Sequence, residues 1–299
     1  MKKVAIYGQT YNTNSIKEVL LLLEVLHENN IVAFFEKNFY NQFREEKLLL
    51  KKYPTFSHFK DLNNSFDLFF TIGGDGTILR SITYIRDLNI PVLGINTGRL
   101  GFLATIQKNE IRSVIQQLLK KEYKIQERTL LSVHTSPKTK ALSEINFALN
   151  EVTVARKNTT SMIGVETYLD DEYLTNYWSD GLIVSTPTGS TGYSLSCNGP
   201  VVLPNSKSIV ITPIAPHNLN ARPLVIPEST KIKLEVSGRE SDFLMSLDSR
   251  ICTINENTQI FIEKASFTIK TIVLTNQSFL KTLRSKLLWG EDTRNNLNH

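Results

Sequence analysis

Apolar and polar positions alternate along this chain with two different periods, and the change falls near Tyr123. Before it, short apolar runs alternate with segments of helical spacing. VAIYG (4–8), IVAFFE (31–36), DLFFTIG (67–73) and PVLGIN (91–96) read as buried strands. Between Asn14 and Asn29, the residues Ile16, Val19, Leu20, Leu23, Leu26 and His27 recur on one face. That spacing predicts a helix capped by Asn14 or Ser15. Helices are also predicted over 43–52, from the GGDGT segment through Leu88, and over 110–121. Strands alternating with helices predict a parallel sheet covered on both faces.

From 128 to 275 the texture is different. LLSVHTS, NEVTVAR, GVETYLD, GLIVSTP, SIVITPI, KIKLEVS, FLMSLD and FTIKTIVL are short runs rich in Val, Ile, Thr, Phe and Tyr, separated by turn residues. They predict an antiparallel β domain. Ser278 to Leu288 returns to helical spacing through Phe279, Leu283 and Leu287, and the last residues, GEDTRNNLNH, read as frayed. The expected fold is therefore an α/β N-terminal domain with a Rossmann-like parallel sheet (1–125), plus an all-β C-terminal domain (126–275). The tail, 276–299, is expected to pack back on the first domain. No internal repeat of solenoid or propeller period is present.

The 299 residues suit about two domains of roughly 150 residues each. Composition is ordinary for globular chains, with 41% hydrophobic and 21% charged residues, which excludes disordered and collagen-like classes. The net charge of +5 is spread over scattered basic pairs (Lys2-Lys3, Lys51-Lys52, Lys120-Lys121) and forms no stripe, so no nucleic-acid partner is expected. Cys197 and Cys252 lack CxxC spacing, which excludes a disulfide framework and fits a reducing compartment. The first apolar run stops at Gly8, too short for a signal-peptide core, and no run of about 18 apolar residues occurs. A cytoplasmic protein without a membrane partner is the expectation.

The sharpest chemical feature is Thr71-Ile72-Gly73-Gly74-Asp75-Gly76-Thr77. Three glycines surround one aspartate just after a buried strand and just before a helix. An open parallel sheet binds ligands beyond the carboxyl ends of its strands. Glycines there let backbone N–H groups approach phosphate oxygens, and the helix N-terminus adds positive potential. The spacing is neither GxGxxG nor GxxxxGK[ST], so neither standard dinucleotide nor P-loop mechanics follows. An aspartate among phosphate-cradling glycines is electrostatically awkward unless it does chemistry or helps hold a metal. A plain strand-to-helix turn, with Asp-Gly supplying the backbone angles, is the structural alternative.

Two further features lie in the β region. Asn150-Glu151 heads the strand NEVTVAR; the amide offers a donor and an acceptor and the carboxylate accepts hydroxyl protons, a pair suited to a ribose or an amide. WSDGLIVSTPTGSTGYSLSCNGP (178–200) is dense in Ser, Thr and Gly between apolar strands, with Tyr193 offering a stacking face and Asp180 a charge. NTGRLGFLAT (96–105) is either a second backbone cradle with Arg99 near phosphates or a tight turn packing Leu100, Phe102 and Leu103. The five histidines share no ligand spacing, which argues against zinc. No GxSxG elbow occurs, which argues against an acyl hydrolase.

Together, GGDGT, the Asn-Glu pair and SDGLIVSTPTGSTGYSLSCNGP resemble the NAD kinase family (ATP-NAD kinases), and NTGRLGFL and ITPIAPHNLNARPLV (211–225) follow its pattern too. GGDGT alone does not decide this, since lipid kinases and phosphofructokinases carry similar motifs. The resemblance implies ATP-dependent phosphorylation of the 2′-hydroxyl on the adenosine ribose of NAD, with Mg²⁺ or another divalent cation accompanying ATP. It implies a homodimer or homotetramer. Carried over by residue, Asp75 is the general base. Gly73, Gly74, Gly76 and Thr77 shape the phosphate region, and Arg80 adds charge there. Asn150 and Glu151 bind the NAD ribose, and Asp180 the nicotinamide-side amide or ribose. Thr191, Gly192, Tyr193, Ser194, Leu195 and Ser196 contact the adenine end, with Phe102 and Ala215 as wall contacts. No residue is assigned as a direct metal ligand.

Two positions depart from the family pattern. Gly192 stands where alanine is usual, a change expected to loosen backbone and leave chemistry alone. Trp178 stands where many members have Arg or Lys, so a cationic contact to substrate phosphate is missing or supplied elsewhere. The rivals are a lipid kinase, which would lack the Asn-Glu and SDG…TGYSLS blocks, and a non-catalytic NAD sensor, which would have no use for Asp75.

Overall fold

The computed structural model describes residues 1–9, 13–45, 48–49, 51–98, 100–158, 161–218 and 220–288. In chain order the first elements are β1 (Lys3–Gly8), α1 (Thr13–Glu28), β2 (Val32–Glu36), α2 (Lys37–Glu45), β3 (Thr55–Phe56), β4 (Leu68–Ile72), α3 (Asp75–Ile85), β5 (Val92–Asn96), β6 (Ile106–Gln107) and α4 (Ile111–Leu119). Then come β7 (Tyr123–Ser136), β8 (Phe147–Ala148), β9 (Glu151–Arg156), β10 (Ile163–Leu169), β11 (Glu172–Ser179) and β12 (Gly181–Ser185). The chain continues with α5 (Tyr193–Ser196), β13 (Ser208–Ile214), β14 (Leu224–Pro227), β15 (Ile232–Ser237), β16 (Asp242–Leu247), β17 (Arg250–Asn255), β18 (Gln259–Leu274) and α6 (Phe279–Leu287). Two compact units result, one from Met1–Gln126 with Ile269–His299, the other from Glu127–Thr268.

In the first unit, β3, β2, β1, β4 and β5 lie side by side in that order, all parallel, with the end of β18 beside β5. β1, β4 and β5 are buried almost throughout, as continuous apolar runs require when helices cover both faces. One face is filled by Val19, Leu22 and Leu26 of α1, Phe39 and Phe43 of α2, and Ile111, Val114 and Ile115 of α4. α3 supplies Ile78, Ile82 and Ile85 as buried apolar side chains.

The sequence pattern located β1, β2, β4 and β5 well and three helices less well, and the two-residue strands β3 and β6 went unread. The buried stripe of α1 runs through Val19, Leu22, Leu23, Val25 and Leu26, while Leu20 and His27 are exposed. The run Val19–Leu23 is apolar at every position, so sequence alone left the phase of the stripe open by about one residue. The helix also begins at Thr13, ahead of the residues expected to cap it, and the Asn14 side chain lies outside the described residues. The helix predicted over 43–52 instead spans Lys37–Glu45. Glu36 starts it, its Oε2 accepting the Phe39 N–H at 2.9 Å, and Phe39, Tyr40 and Phe43 form its buried face. The third helix stops at Ile85, three residues short of the expected end, because Arg86 takes a positive φ of 47°.

The second unit is built from antiparallel strands. β14, β13, β12, β9, β16 and β17 form a six-stranded sheet, and β11, β10, β15 and the start of β18 pair in a second group. Its core gathers Val152, Val154, Leu182, Val184, Ile209, Ile211, Phe243 and Met245 from the first sheet, with Val165, Leu234 and Ile260 from the second group. Apolar residues alternate with outward ones in β15 and β16, as a half-covered sheet demands. β11, β14 and β17 went unread because their sequences carry exposed or polar positions where alternation was sought. Among the described residues, no helix is long and apolar enough to cross a membrane.

Candidate active site

In the first unit, β1 is flanked by β2 on one side and β4 on the other, so the chain winds outward both ways from the β1–β4 pair. The carboxyl ends of these two strands mark the switch point at which such sheets take ligands. β4 leaves the sheet at Gly73, whose N–H donates to Ile95 O at 2.9 Å. Gly73 has φ of +147°, and a Cβ there would stand 2.2 Å from Thr77 Oγ1, so only glycine fits. Gly74 and Gly76 are different: both are exposed, and a Cβ on either would meet no protein atom within 4 Å. Packing does not require glycine at these two positions, and the open space in front of α3 suits an approaching anion. Arg80 is exposed one turn into α3. With the Gln9 amide oriented so that its oxygen faces the guanidinium, that oxygen accepts from Arg80 at 2.6 and 2.7 Å.

Asp75, the first residue of α3, reaches across to the segment after β5. Its Oδ2 accepts the Phe102 N–H at 2.8 Å, and its Oδ1 accepts those of Leu103 and Ala104 at 3.0 and 2.8 Å. The approach is so close that a Cβ on Gly101 would lie 1.8 Å from Oδ1. The 96–105 segment is thus a backbone cradle, and its ligand in this structure is the aspartate itself. Three features of the tail brace the cradle. The Phe279 ring sits 6.1 Å from that of Phe102, Gln277 Oε1 is 3.2 Å from Thr105 Oγ1, and the Lys286 ammonium donates to Leu100 O. Arg99 lies outside the described residues.

In the second unit, Asn150 and Glu151 sit where the chain enters β9. Thr186 holds the segment from one side, its N–H donating to Asn150 O at 2.8 Å and its hydroxyl to Leu149 O at 2.6 Å. Asp248, in the turn between β16 and β17, holds it from the other, accepting the N–H groups of Leu149, Asn150 and Glu151 at 3.1, 2.7 and 3.3 Å. Arg250 Nη2 lies 3.5 Å from Asp248 and also donates to Phe147 O. The side chains of the pair are less satisfied than its backbone: Asn150 Oδ1 and Glu151 Oε2 are buried and have no partner. Burial pushes the Glu151 carboxyl up to about 8, with the Asp248 charge adding to the rise and one N–H, from Tyr193, opposing it. Burial raises the Asp248 carboxyl as well, with three N–H groups and Arg250 opposing the rise.

The 178–200 block divides into inward and outward residues. Ser190 and Ser194 are fully buried, and the Ser194 hydroxyl lies 2.8 Å from Thr212 Oγ1. Thr191 donates to Thr188 O at 3.3 Å, Leu195 is half-buried, and Tyr193 and Ser196 are exposed. Asp180 pairs with Arg156 Nη1 at 3.0 Å. Ala215 is exposed with φ of +44°, and Trp178 is exposed. Gly192 is more than a loosened hinge: a Cβ there would stand 3.2 Å from both Asn150 Nδ2 and Glu151 Oε2, so the missing methyl leaves room directly against the pair.

A family model described as the ATP-NAD kinase N-terminal domain matches residues 9–123, and the ATP-NAD kinase C-terminal domain model matches residues 149–274. The chain belongs to the NAD kinase family. It is 57% identical over 293 residues to the NAD kinase of Christiangramia forsetii, covering 98% of this chain and 100% of the relative. It is 53% identical to that of Flavobacterium psychrophilum over the same shares of both chains. A solved yeast NADH kinase complexed with NADH superposes with a TM-score of 0.88 at 25% identity, covering 100% of this chain and 90% of that one. An Archaeoglobus fulgidus NAD kinase in complex with ATP shares the fold at a TM-score of 0.73 and 24% identity, covering 96% and 98%.

Within this NAD kinase family member, sequence reasoning overlooked Gly101, Thr186, Asp248 and Arg250. Asp248 closes the run FLMSLD, where it reads as an ordinary turn residue; its role depends on a partner about a hundred positions away. Thr186 carried a faint signal, a threonine just past the end of an apolar strand and directly before Pro187.

Proposed function

We propose that the protein transfers the γ-phosphoryl group of ATP to the 2′-hydroxyl of the adenosine ribose of NAD, giving NADP. The observation that carries this reading is the pair of buried, unpartnered oxygens on Asn150 and Glu151. Buried polar atoms are normally paired, and two such atoms held on a rigid strand entry are suited to ribose hydroxyls. Membership of the family, and the NADH and ATP named in the two solved relatives, support the choice of substrates.

In this reading residues 1–125 handle phosphate and residues 126–275 bind NAD, with the tail from 276 belonging to the first. Asp75 is the general base. A carboxylate offers about four acceptor sites, and the N–H groups of Phe102, Leu103 and Ala104 take three. Oδ2, with one donor against two on Oδ1, is the oxygen left to accept the 2′-hydroxyl proton as the bond to phosphorus forms. The open faces of Gly74 and Gly76, the start of α3 and Arg80 offset charge on the phosphoryl oxygens. Gly73 and Thr77 hold that turn in shape. Asn150 and Glu151 orient the ribose, Asp180 takes the nicotinamide side, Tyr193 packs the adenine, and Phe102 and Ala215 are lesser wall contacts for NAD.

Among the described residues no group of three His, Cys, Asp or Glu side chains is placed to hold a metal. In this reading Mg²⁺ or another divalent cation arrives on the phosphates as part of the nucleotide substrate, the usual mode for Mg²⁺. A homodimer or homotetramer in the cytoplasm completes the reading, and light scattering of the purified protein tests the assembly.

The deciding assay incubates the protein with NAD, ATP and Mg²⁺ and detects NADP through an NADP-specific dehydrogenase. NADP that requires every component, and falls by orders of magnitude in Asp75→Asn while NAD binding persists by calorimetry, is the expected result. Equal turnover in Asp75→Asn refutes the general-base role, and binding without turnover in the unaltered protein favours an NAD sensor.

A further inference from the structure

Asp248 stands outside every motif considered so far, yet it is one of the most committed carboxylates in the described chain. Its side chain is 1% exposed, and it accepts three consecutive backbone N–H groups, those of Leu149, Asn150 and Glu151. The attachment is reciprocal, since the Asp248 N–H donates to Glu151 O at 2.9 Å. Asp248 also adopts φ of +53°, a conformation in which aspartate is tolerated better than most residues. Arg250 backs the carboxylate from the far side and is itself anchored on Phe147 O. The strand entry that bears the Asn-Glu pair is thus clamped by its carbonyls through Thr186 and by its amides through Asp248.

Two buried side-chain oxygens of the pair, Asn150 Oδ1 and Glu151 Oε2, are left without a partner by this arrangement. We propose that Asp248 is a positioning residue for NAD: it touches no substrate, and it fixes the backbone from which Asn150 and Glu151 present those oxygens to the ribose. The proposal rests on the reading that this pair binds NAD. The clamp has no comparable hold on the GGDGT turn, whose bonds run to the segment after β5. Its loss therefore weakens recognition of NAD and spares that of ATP.

Asp248→Asn keeps the shape and turns one acceptor into a donor facing N–H groups. Misplacement of binding groups by about an ångström costs on the order of a hundredfold, so KM for NAD is expected to rise about 10- to 100-fold, with KM for ATP within about twofold. A merely destabilising change lowers the active fraction, and with it kcat, but moves neither KM. Hydrogen exchange supplies the second readout: the Asn150 and Glu151 amides exchange faster in the variant, while those of Thr77 and Ile78 do not. Should Asp248→Asn fail to fold, Arg250→Lys takes its place; it retains charge but cannot reach both Asp248 and Phe147 O, and a smaller rise in KM for NAD is expected. KM for NAD within about twofold of the unaltered protein in a folded variant overturns the proposal. Absence of NADP formation by the unaltered protein overturns the underlying reading and this proposal with it, so the two failures are told apart by the control.

Discussion

Gly101→Ala tests the cradle around Asp75 without touching the aspartate. The added Cβ would stand 1.8 Å from Asp75 Oδ1, 2.5 Å from Cγ and 2.8 Å from Oδ2, all inside van der Waals contact. Backbone on one side and the first turn of α3 on the other cannot both yield, so the carboxylate must swing out. It then gives up the N–H groups of Phe102, Leu103 and Ala104, held at 2.8, 3.0 and 2.8 Å. Hydrogen bonds to a charged acceptor contribute about 1.5–3 kcal/mol each when fully protected. Asp75 is only half-buried and water replaces part of the loss, so about 1–3 kcal/mol in all is expected. Thermal melting should register this as a few degrees of Tm. The larger effect is kinetic: a base displaced by an ångström or more costs on the order of a hundredfold in kcat. Coupled NADP detection measures it, with NAD binding by calorimetry as the control. A Gly101→Ala protein turning over within about twofold of normal would refute the claim that the N–H cradle aims the base.

Other outcomes follow from the same geometry. Glu151 stays protonated in the folded chain up to about pH 8, whereas its ordinary value is 4.5. Between those values the folded state holds the extra proton, so this residue's contribution to stability falls as pH rises from about 4.5 to 8 and is level above that. Glu151→Gln removes that slope, at most about 1.4 kcal/mol per pH unit, and urea unfolding of both proteins from about pH 5 to 9 measures the difference. Phe279→Ala strips the ring that leans on Phe102, 6.1 Å away between centroids. A several-fold fall in kcat is expected from steady-state kinetics because the cradle loosens, with a smaller rise in KM for NAD through the Phe102 wall contact.

Much of this was legible in the residues themselves, for a local reason. A buried parallel strand is a continuous apolar run, so β1, β2, β4 and β5 announced themselves, and GGDGT could be placed at a strand end before any coordinates. Helix phase was harder. The stretch Val19–Leu23 is apolar at every position, and packing against α4 chose which side faces inward. At the site, residue type indicated which side chains carry chemistry but not which are spent on structure. Ser194 and Tyr193 are neighbours in one polar block, yet one hydroxyl is buried on Thr212 and the other side chain is exposed. Asp248 was invisible for the opposite reason. Nothing local distinguishes a turn aspartate from one that holds a strand 98 residues away.

The bracing of Asp75 bears on protein engineering. Seven residues, TIGGDGT, look like a portable cassette that could be grafted onto the end of any buried parallel strand. In this chain, however, the aspartate's environment is made by a second segment, and the two are brought into reach by the register that sets Phe69 opposite Val92 and Ile72 opposite Ile95. A graft carrying the cassette alone would deliver a solvated carboxylate with no fixed direction. The smallest transferable unit is a pair of adjacent strands with both of their trailing loops, glycine at the equivalent of Gly101 included.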